Sequence, residues 1–288
     1  MRPVLLRIPF GGDVIAVGSY GAFYALAWLL APACGAWLAS RRGLPWRRVA
    51  FAYYASLAAG VVGARLLDLF VAADFYAEDR SRVWGLSFQG FSLYGGLLVA
   101  CVAAIALSRI LRLPLWRLAD SAVPAIALGI VLMRTGCFLR GCCFGHVTGL
   151  PWGVTYPVGS MAWGHQVMSG ELGFVGGLAG GARPVHPTQL YEMAGAVVIA
   201  AVATWALPRL RVPEGVPFLA FATGFTLVRL GNGLLRVRQP VITAPEWFYP
   251  VFYSVVIVVL VALLVRRLRE ERAGRKQARE EPQPFVYP

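Results

Sequence analysis

The side chains most able to do chemistry are gathered in one short stretch. From Arg134 to Gly145 the chain reads RTGCFLRGCCFG, which sets a guanidinium beside three thiols, Cys137, Cys142 and Cys143. A guanidinium stays charged at any physiological pH, and its planar fork fits carboxylate or phosphate oxygens two at a time. Thiols clustered this closely can form a disulfide, act as nucleophiles or hold a metal. Arg134, Arg140 and His146 nearby favour the thiolate form. In an oxidising compartment, a local disulfide from Cys137 to Cys142 or Cys143 is the plainest expectation. The spacing C-x4-C-C matches no usual zinc pattern, so no metal site is expected. Cys34 and Cys101 lie in apolar runs and read as small core residues.

Two more arginines, Arg65 and Arg229, also fall inside or near the end of apolar runs. An arginine at mid-bilayer costs at least about 2.5–3.5 kcal/mol on the insertion scale, so each needs a compensating partner. The acids available inside such runs are Asp68, Asp120 and Glu192. Arg65 has Asp68 one turn away, which offers a purely structural pairing. Arg134 and Arg229, with Arg65 as a third candidate, point to a cavity that binds an anion, and a lipid phosphate is the anion at hand. Gly129, Gly136, Gly231 and Gly233 lie close by and allow backbone to approach a ligand.

These residues sit in a chain that reads as membrane-embedded. Of its 288 residues, 58% are apolar and only 14% charged, with a mean hydropathy of +0.63. That excludes a disordered chain and leaves too few charges to cover a soluble globule. The net charge of +13 does not call for nucleic acid, because the arginines lie in short clusters between long apolar runs. The opening residues do not read as a secretory signal. Seven apolar spans are expected, at Val14–Ala39, Val49–Ala73, Phe91–Leu111, Leu118–Leu139, Leu190–Leu207, Val216–Leu235 and Trp247–Val265. The fold class is therefore an all-α integral membrane protein of seven transmembrane helices. One set of loops, with the C-terminal end, holds 16 of the positive residues and the other set holds 8. Positive charge marks the cytoplasmic side, so the N-terminus is expected outside and the C-terminus in the cytoplasm. Residues 1–265 form one membrane domain. Residues 266–288 form a basic cytoplasmic tail, and the long loop of about 140–189, rich in Gly, Trp and Tyr, forms an external cap.

Several segments resemble the prolipoprotein diacylglyceryl transferase family of bacterial inner-membrane enzymes. HPTQLYE from His186 to Glu192 resembles the family's HPSQLYE. Met133 to Gly145 resembles its signature GRxGNFINGExWG, and LPWGVTYP follows from Leu150 to Pro157. Phe23-Tyr24 before Trp37 to Arg42, Ser87 to Leu98, Arg229, and Arg238 to Pro240 resemble further family segments in the same order. The resemblance implies transfer of a diacylglyceryl group from phosphatidylglycerol to the lipobox cysteine thiol of a prolipoprotein, without a cofactor.

By that resemblance, Arg134, Arg229 and Tyr24 are expected catalytic residues, and Tyr94, at the place of the family's histidine, is expected to join them by donating or accepting one hydrogen bond. Arg134, Gly136, Gly145, His186 and Gln189 are expected to bind substrate, with Arg65 added from its place in an apolar run, although a structural role in ordering the loop is favoured for His186. The expected partners are phosphatidylglycerol, a prolipoprotein segment and the bilayer. The chain departs from the motifs at five positions. Tyr94 stands where the family has histidine, Cys137 and Arg140 replace the two asparagines, and Cys142 replaces the glutamate. In the sixth span Gly233 stands where the family has a glutamate. Two other functions fit the same residues. One is a phospholipid-binding or lipoprotein-handling protein without turnover. The other is a phospholipid-group transferase using Cys137, Cys142 or Cys143.

Overall fold

A computed structural model describes residues 4–10, 13–71, 93–172, 181–237 and 247–280. The chain opens with an antiparallel hairpin, β1 (Val4–Phe10) and β2 (Asp13–Gly18), pairing Arg7 with Ala16 and Ile8 with Ile15. The helices α1 (Ser19–Ser40), α2 (Trp46–Val71), α3 (Leu93–Ile110) and α4 (Leu115–Arg140) follow. A short helix α5 (Met161–Met168) comes next, then α6 (Thr188–Ala201). α6 runs on through a π-helical turn at Val202–Ala206 into α7 (Leu207–Arg209). α8 (Val216–Leu235) and α9 (Phe248–Glu280) complete the chain.

Among the described residues, six helical stretches are long and apolar enough to cross a membrane: Ser19–Ser40, Trp46–Phe70, Leu115–Arg140, Thr188–Arg209, Val216–Leu235 and Phe248–Ala273. Gly95–Ile110 is apolar but shorter. This is a helical membrane protein, and two sequence expectations change. The first span begins at Ser19 rather than Val14, because the stretch before it, rich in β-branched Val and Ile, pairs as a strand. The last helix does not stop at Val265 but continues into the charged segment as far as Glu280. On that extension Arg266 and Arg267 pair with Glu270 at 2.8 and 3.2 Å, both exposed. Exposed helix pairs of this kind add only a few tenths of a kcal/mol each.

The chain divides into two compact units, residues 32–122 and residues 1–31 with 123–288. In the first, Ala36, Ala39, Val49, Ala52, Leu113 and Leu118 form a buried core, and the Tyr53 hydroxyl donates to Leu118 O at 2.7 Å. Here α2 and α3 meet through small residues. A Cβ built on Gly63 would lie 2.5 Å from Val99 Cβ, and one built on Gly95 would lie 2.5 Å from Leu67 Cβ. Gly60 and Gly96 approach almost as closely. Without a hydrophobic driving force between helices in lipid, such close backbone contact is what holds them together. The Tyr94-Gly95-Gly96 segment thus has a packing reason for both glycines. Gly95→Val should therefore lower the melting temperature of the detergent-purified protein, by a destabilisation of about 1–3 kcal/mol for an overpacked contact. Leu97→Val, at an exposed position, serves as the control. Equal melting of Gly95→Val and wild type would show that this contact is dispensable.

In the second unit, Val123, Ala127, Ala196, Ala200, Ala203 and Phe221 pack α4, α6 and α8 together. The described residues between α4 and α6 form a folded segment around Phe144, Tyr156, Ala162, Val185 and Val237. Short bridges pair Val185 with Val147 and Val154, and Gly145 with Arg236. Ser160 caps α5 by accepting from the Trp163 amide at 3.2 Å.

Candidate functional site

The site is built in the second unit, where α4, α6, α8 and α9 each supply one or more polar side chains. Glu192 sits four residues into α6 and is buried. Arg134 Nε meets its Oε2 at 2.5 Å, and Arg229 NH1 meets its Oε1 at 2.8 Å. Asn232, one turn beyond Arg229 on α8, donates from Nδ2 to the same Oε1 at 2.9 Å and to Thr188 O at 3.0 Å. Tyr253 on α9 accepts from Arg229 NH2 at 3.0 Å. Two guanidiniums therefore share one carboxylate, and the cluster keeps a formal charge of +1. Arg134 also reaches Cys137 Sγ from NH1 at 3.9 Å.

Beside this cluster the first turn of α6 fastens the segment after α4. Gln189 donates from Nε2 to Cys142 O at 2.6 Å and to the Tyr156 hydroxyl at 3.1 Å. Thr188 donates to Cys143 O. Burial pushes the Tyr156 phenol up to about 12, so it stays protonated throughout the physiological range. Gln189 Oε1 and Asn232 Oδ1 are buried and have no hydrogen-bond partner among the described residues. A cleft of about 480 Å³ opens between α4 and α6, lined by Leu128, Val131, Val197, Ala201, Thr204 and Trp205. Val131 lies one helical turn before Arg134.

The residues singled out from sequence are not all placed together. Arg134, Arg229, Gln189 and Cys137 belong to the cluster just described. Arg65 pairs with Asp68 at 4.0 Å in the other unit, as their spacing suggests. Gly136 is a contact with α1, where a Cβ would meet Phe23 Cβ at 3.0 Å. Gly145 is pinched by His186 and Leu235, both 2.6 Å from such a Cβ, so its role here is close passage of chains. His186 Nδ1 lies 3.3 Å from the Tyr191 hydroxyl, which accepts from Trp152 Nε1 at 2.9 Å. This fits a residue that orders the loop. Tyr24 stacks on Tyr20, with ring centroids 5.8 Å apart, and Arg140 covers Tyr20 at 5.3 Å. Tyr94 is the second residue of α3, and its side chain lies outside the described part, as do Ser87 to Ser92 and Arg238 to Pro240. The cysteines are free rather than joined in the expected local disulfide.

Sequence reasoning missed Asn232 and Tyr253 and gave Glu192 only a supporting role. Asn232 carried a usable signal: a polar residue inside an apolar span, three positions after an arginine in the same span. Tyr253 carried none, lying in a span rich in aromatics.

The family model described as prolipoprotein diacylglyceryl transferase matches residues 3–275. The chain belongs to this family. A phosphatidylglycerol–prolipoprotein diacylglyceryl transferase of Geobacter sulfurreducens is 31% identical over 214 residues, covering 73% of this chain and 74% of that one. A protein of the same description from Pasteurella multocida is 27% identical over 235 residues, 79% of this chain and 76% of the relative. One from Rhodopirellula baltica is 30% identical over 167 residues, 55% of this chain, and the match spans 33% of that longer relative. Within the family match lie all the members of the Glu192 cluster.

Proposed function

We propose that the protein transfers the diacylglyceryl group of phosphatidylglycerol to the cysteine thiol of a prolipoprotein, with the Arg134–Glu192–Arg229 cluster holding the phosphate. The observation that carries this assignment is the charge arithmetic of the cluster. One carboxylate between two guanidiniums orients both and leaves a positive excess for a phosphate oxygen. The apolar cleft that begins one turn from Arg134 suits an acyl chain of the same lipid. The buried acceptors Gln189 Oε1 and Asn232 Oδ1 suit the hydroxyls of its glycerol headgroup.

In the reaction a thiolate sulfur attacks the diacylglyceryl carbon that bears the phosphate. The carbon–sulfur bond forms, the carbon–oxygen bond breaks, and glycerol phosphate leaves with the bonding electrons. Negative charge builds on the departing phosphate oxygen, which Arg134 and Arg229 are placed to stabilise. Both reactants are membrane-bound, so fixing them side by side removes much of the entropic barrier. Tyr24 and Tyr94 are assigned supporting roles in the transfer. The protein resides in the bacterial inner membrane with α3 as a seventh crossing. Its N-terminus and the segment between α4 and α6 face outward, and its C-terminus faces the cytoplasm.

The test is complementation of a bacterium depleted of its own transferase, paired with incorporation of labelled diacylglyceryl into a lipobox peptide. Growth and incorporation are the expected result, with glycerol phosphate released in equal amount. A well-expressed, inserted protein that binds phosphatidylglycerol but supports neither would favour the non-catalytic reading.

A further inference from the structure

Arg134 ends at Cys137 Sγ, and that sulfur belongs to a group for which the transfer reaction gives no use. The sulfur atoms of Cys137, Cys142 and Cys143 all lie within 4.8 Å of one another. The chain is folded back to bring them there. α4 ends at Arg140, Gly141 takes φ +76°, and the amides of Gly141 and Cys142 both return to Cys137 O at 3.0 and 3.1 Å. Cys143 then adopts φ +64°, a left-handed conformation uncommon for a residue with a Cβ. Gln189 and Thr188 hold the carbonyls of Cys142 and Cys143 from the opposite side. Cys137 is buried, while Cys142 and Cys143 are partly exposed.

We propose that Cys137, Cys142 and Cys143 form a three-thiolate site for a soft divalent cation, with zinc as the reference ion, whose fourth position accepts an incoming thiol. Zinc–sulfur bonds of about 2.3 Å in a tetrahedral arrangement place sulfurs about 3.8 Å apart, so small side-chain rotations of about 1 Å complete the site. Three thiolates around a divalent ion carry a net charge of −1. The Arg134 guanidinium, 3.9 Å from Cys137 Sγ, offers the ligand sulfur a hydrogen bond from outside the coordination shell. A disulfide would consume two sulfurs and leave the third without a role. Nothing in the C-x4-C-C spacing announces this site. It depends on the left-handed residue at Cys143 and on the two anchors from α6.

Binding is proton exchange, with no redox change. Each thiol gives its proton to water as its metal–sulfur bond forms. Three protein ligands leave one position open. The identity of the fourth ligand rests on the transferase reading: it is the prolipoprotein cysteine, which loses its proton to water on coordination and keeps a sulfur lone pair for attack. This supplies thiolate in a chain that has Tyr94 where the family motif has histidine.

The experiment uses full-length protein, reduced and purified anaerobically in detergent. Titration with cobalt(II) should give thiolate-to-cobalt charge-transfer absorption saturating at about one ion per chain, and zinc should displace it. Each of Cys137→Ser, Cys142→Ser and Cys143→Ser should weaken zinc binding by about tenfold or more. The triple variant should bind neither ion, while Cys34→Ser and Cys101→Ser bind as wild type. Circular dichroism and gel filtration confirm that each variant folds. A lipobox peptide should shift the cobalt spectrum and its serine analogue should not. Reduced protein that takes up no cobalt, or a triple variant that binds as well as wild type, overturns the site. A cobalt form indifferent to the peptide thiol overturns the fourth-ligand assignment. Both readouts are independent of turnover, which the complementation assay measures.

Discussion

Replacing Arg134 with lysine should cost nearly as much activity as replacing it with alanine. The guanidinium here has three tasks in different directions. Its Nε meets Glu192 Oε2 at 2.5 Å, one terminal nitrogen lies 3.9 Å from Cys137 Sγ, and the rest of the fork is what the proposed mechanism gives to the lipid phosphate. A lysine ammonium is a single point on a flexible stem and cannot span those directions at once. With Glu192 the nearest anion, the ammonium would be drawn to it and away from the phosphate. Loss of one positioned donor at a site of developing charge typically lowers turnover by about 10²–10³. Arg134→Lys and Arg134→Ala should both fall in that range, with the Michaelis constant for phosphatidylglycerol raised as well. The measurement is steady-state transfer in mixed micelles. A lysine variant with unchanged kcat and KM would show that charge alone suffices and that the fork geometry is irrelevant.

The arginines were legible because a charge inside a run such as VLMRTGCFLR or FTLVRLGNGLL conflicts with its surroundings, and that conflict is visible without a structure. Six of the seven expected spans were legible for the complementary reason, since length and apolarity are additive along the chain. Additive quantities fail where geometry decides. Val14 to Gly18 is as apolar as a helix start, yet it pairs with β1 as a strand, and a hydropathy sum does not register that difference. From sequence, Gly136 suggests a ligand because glycine permits close approach, and Gly145 because it matches the closing glycine of the family signature. The approach is real, but what comes close is Phe23 of α1 in one case and His186 with the Leu235 carbonyl in the other. The proximity of the three sulfurs was hidden because spacing alone does not reveal the left-handed turn at Cys143 or the hydrogen bond from Gln189, 47 residues beyond Cys142. Glu192 was visible as an acid in a span, but its use by two arginines from separate helices is a property of packing.

Because both guanidiniums and Asn232 converge on Glu192, Glu192→Gln should be the most destabilising single change in the site. The amide is the same size and can still accept from Arg229 and Asn232 through its oxygen. Its NH2 then faces Arg134 Nε, setting donor against donor, and the negative charge that separated two cations is gone. Removing one partner of a buried ion pair costs about 3–5 kcal/mol, because the charge left behind is buried without compensation. Glu192 is 4% exposed and each arginine 17%, so water screens the arginines only in part. The expected result is a large drop in melting temperature and poor recovery of folded protein from the membrane. A second substitution separates electrostatics from packing. If repulsion between cations is the cause, Arg229→Gln in the Glu192→Gln background should restore part of the lost stability, although Arg229→Gln alone destabilises. Such a reversal of sign is the signature of coupled residues in a double-mutant cycle. Additive losses in the double variant would mean that Arg134 and Arg229 do not depend on Glu192 to coexist, and the shared-carboxylate account of the site would have to be abandoned.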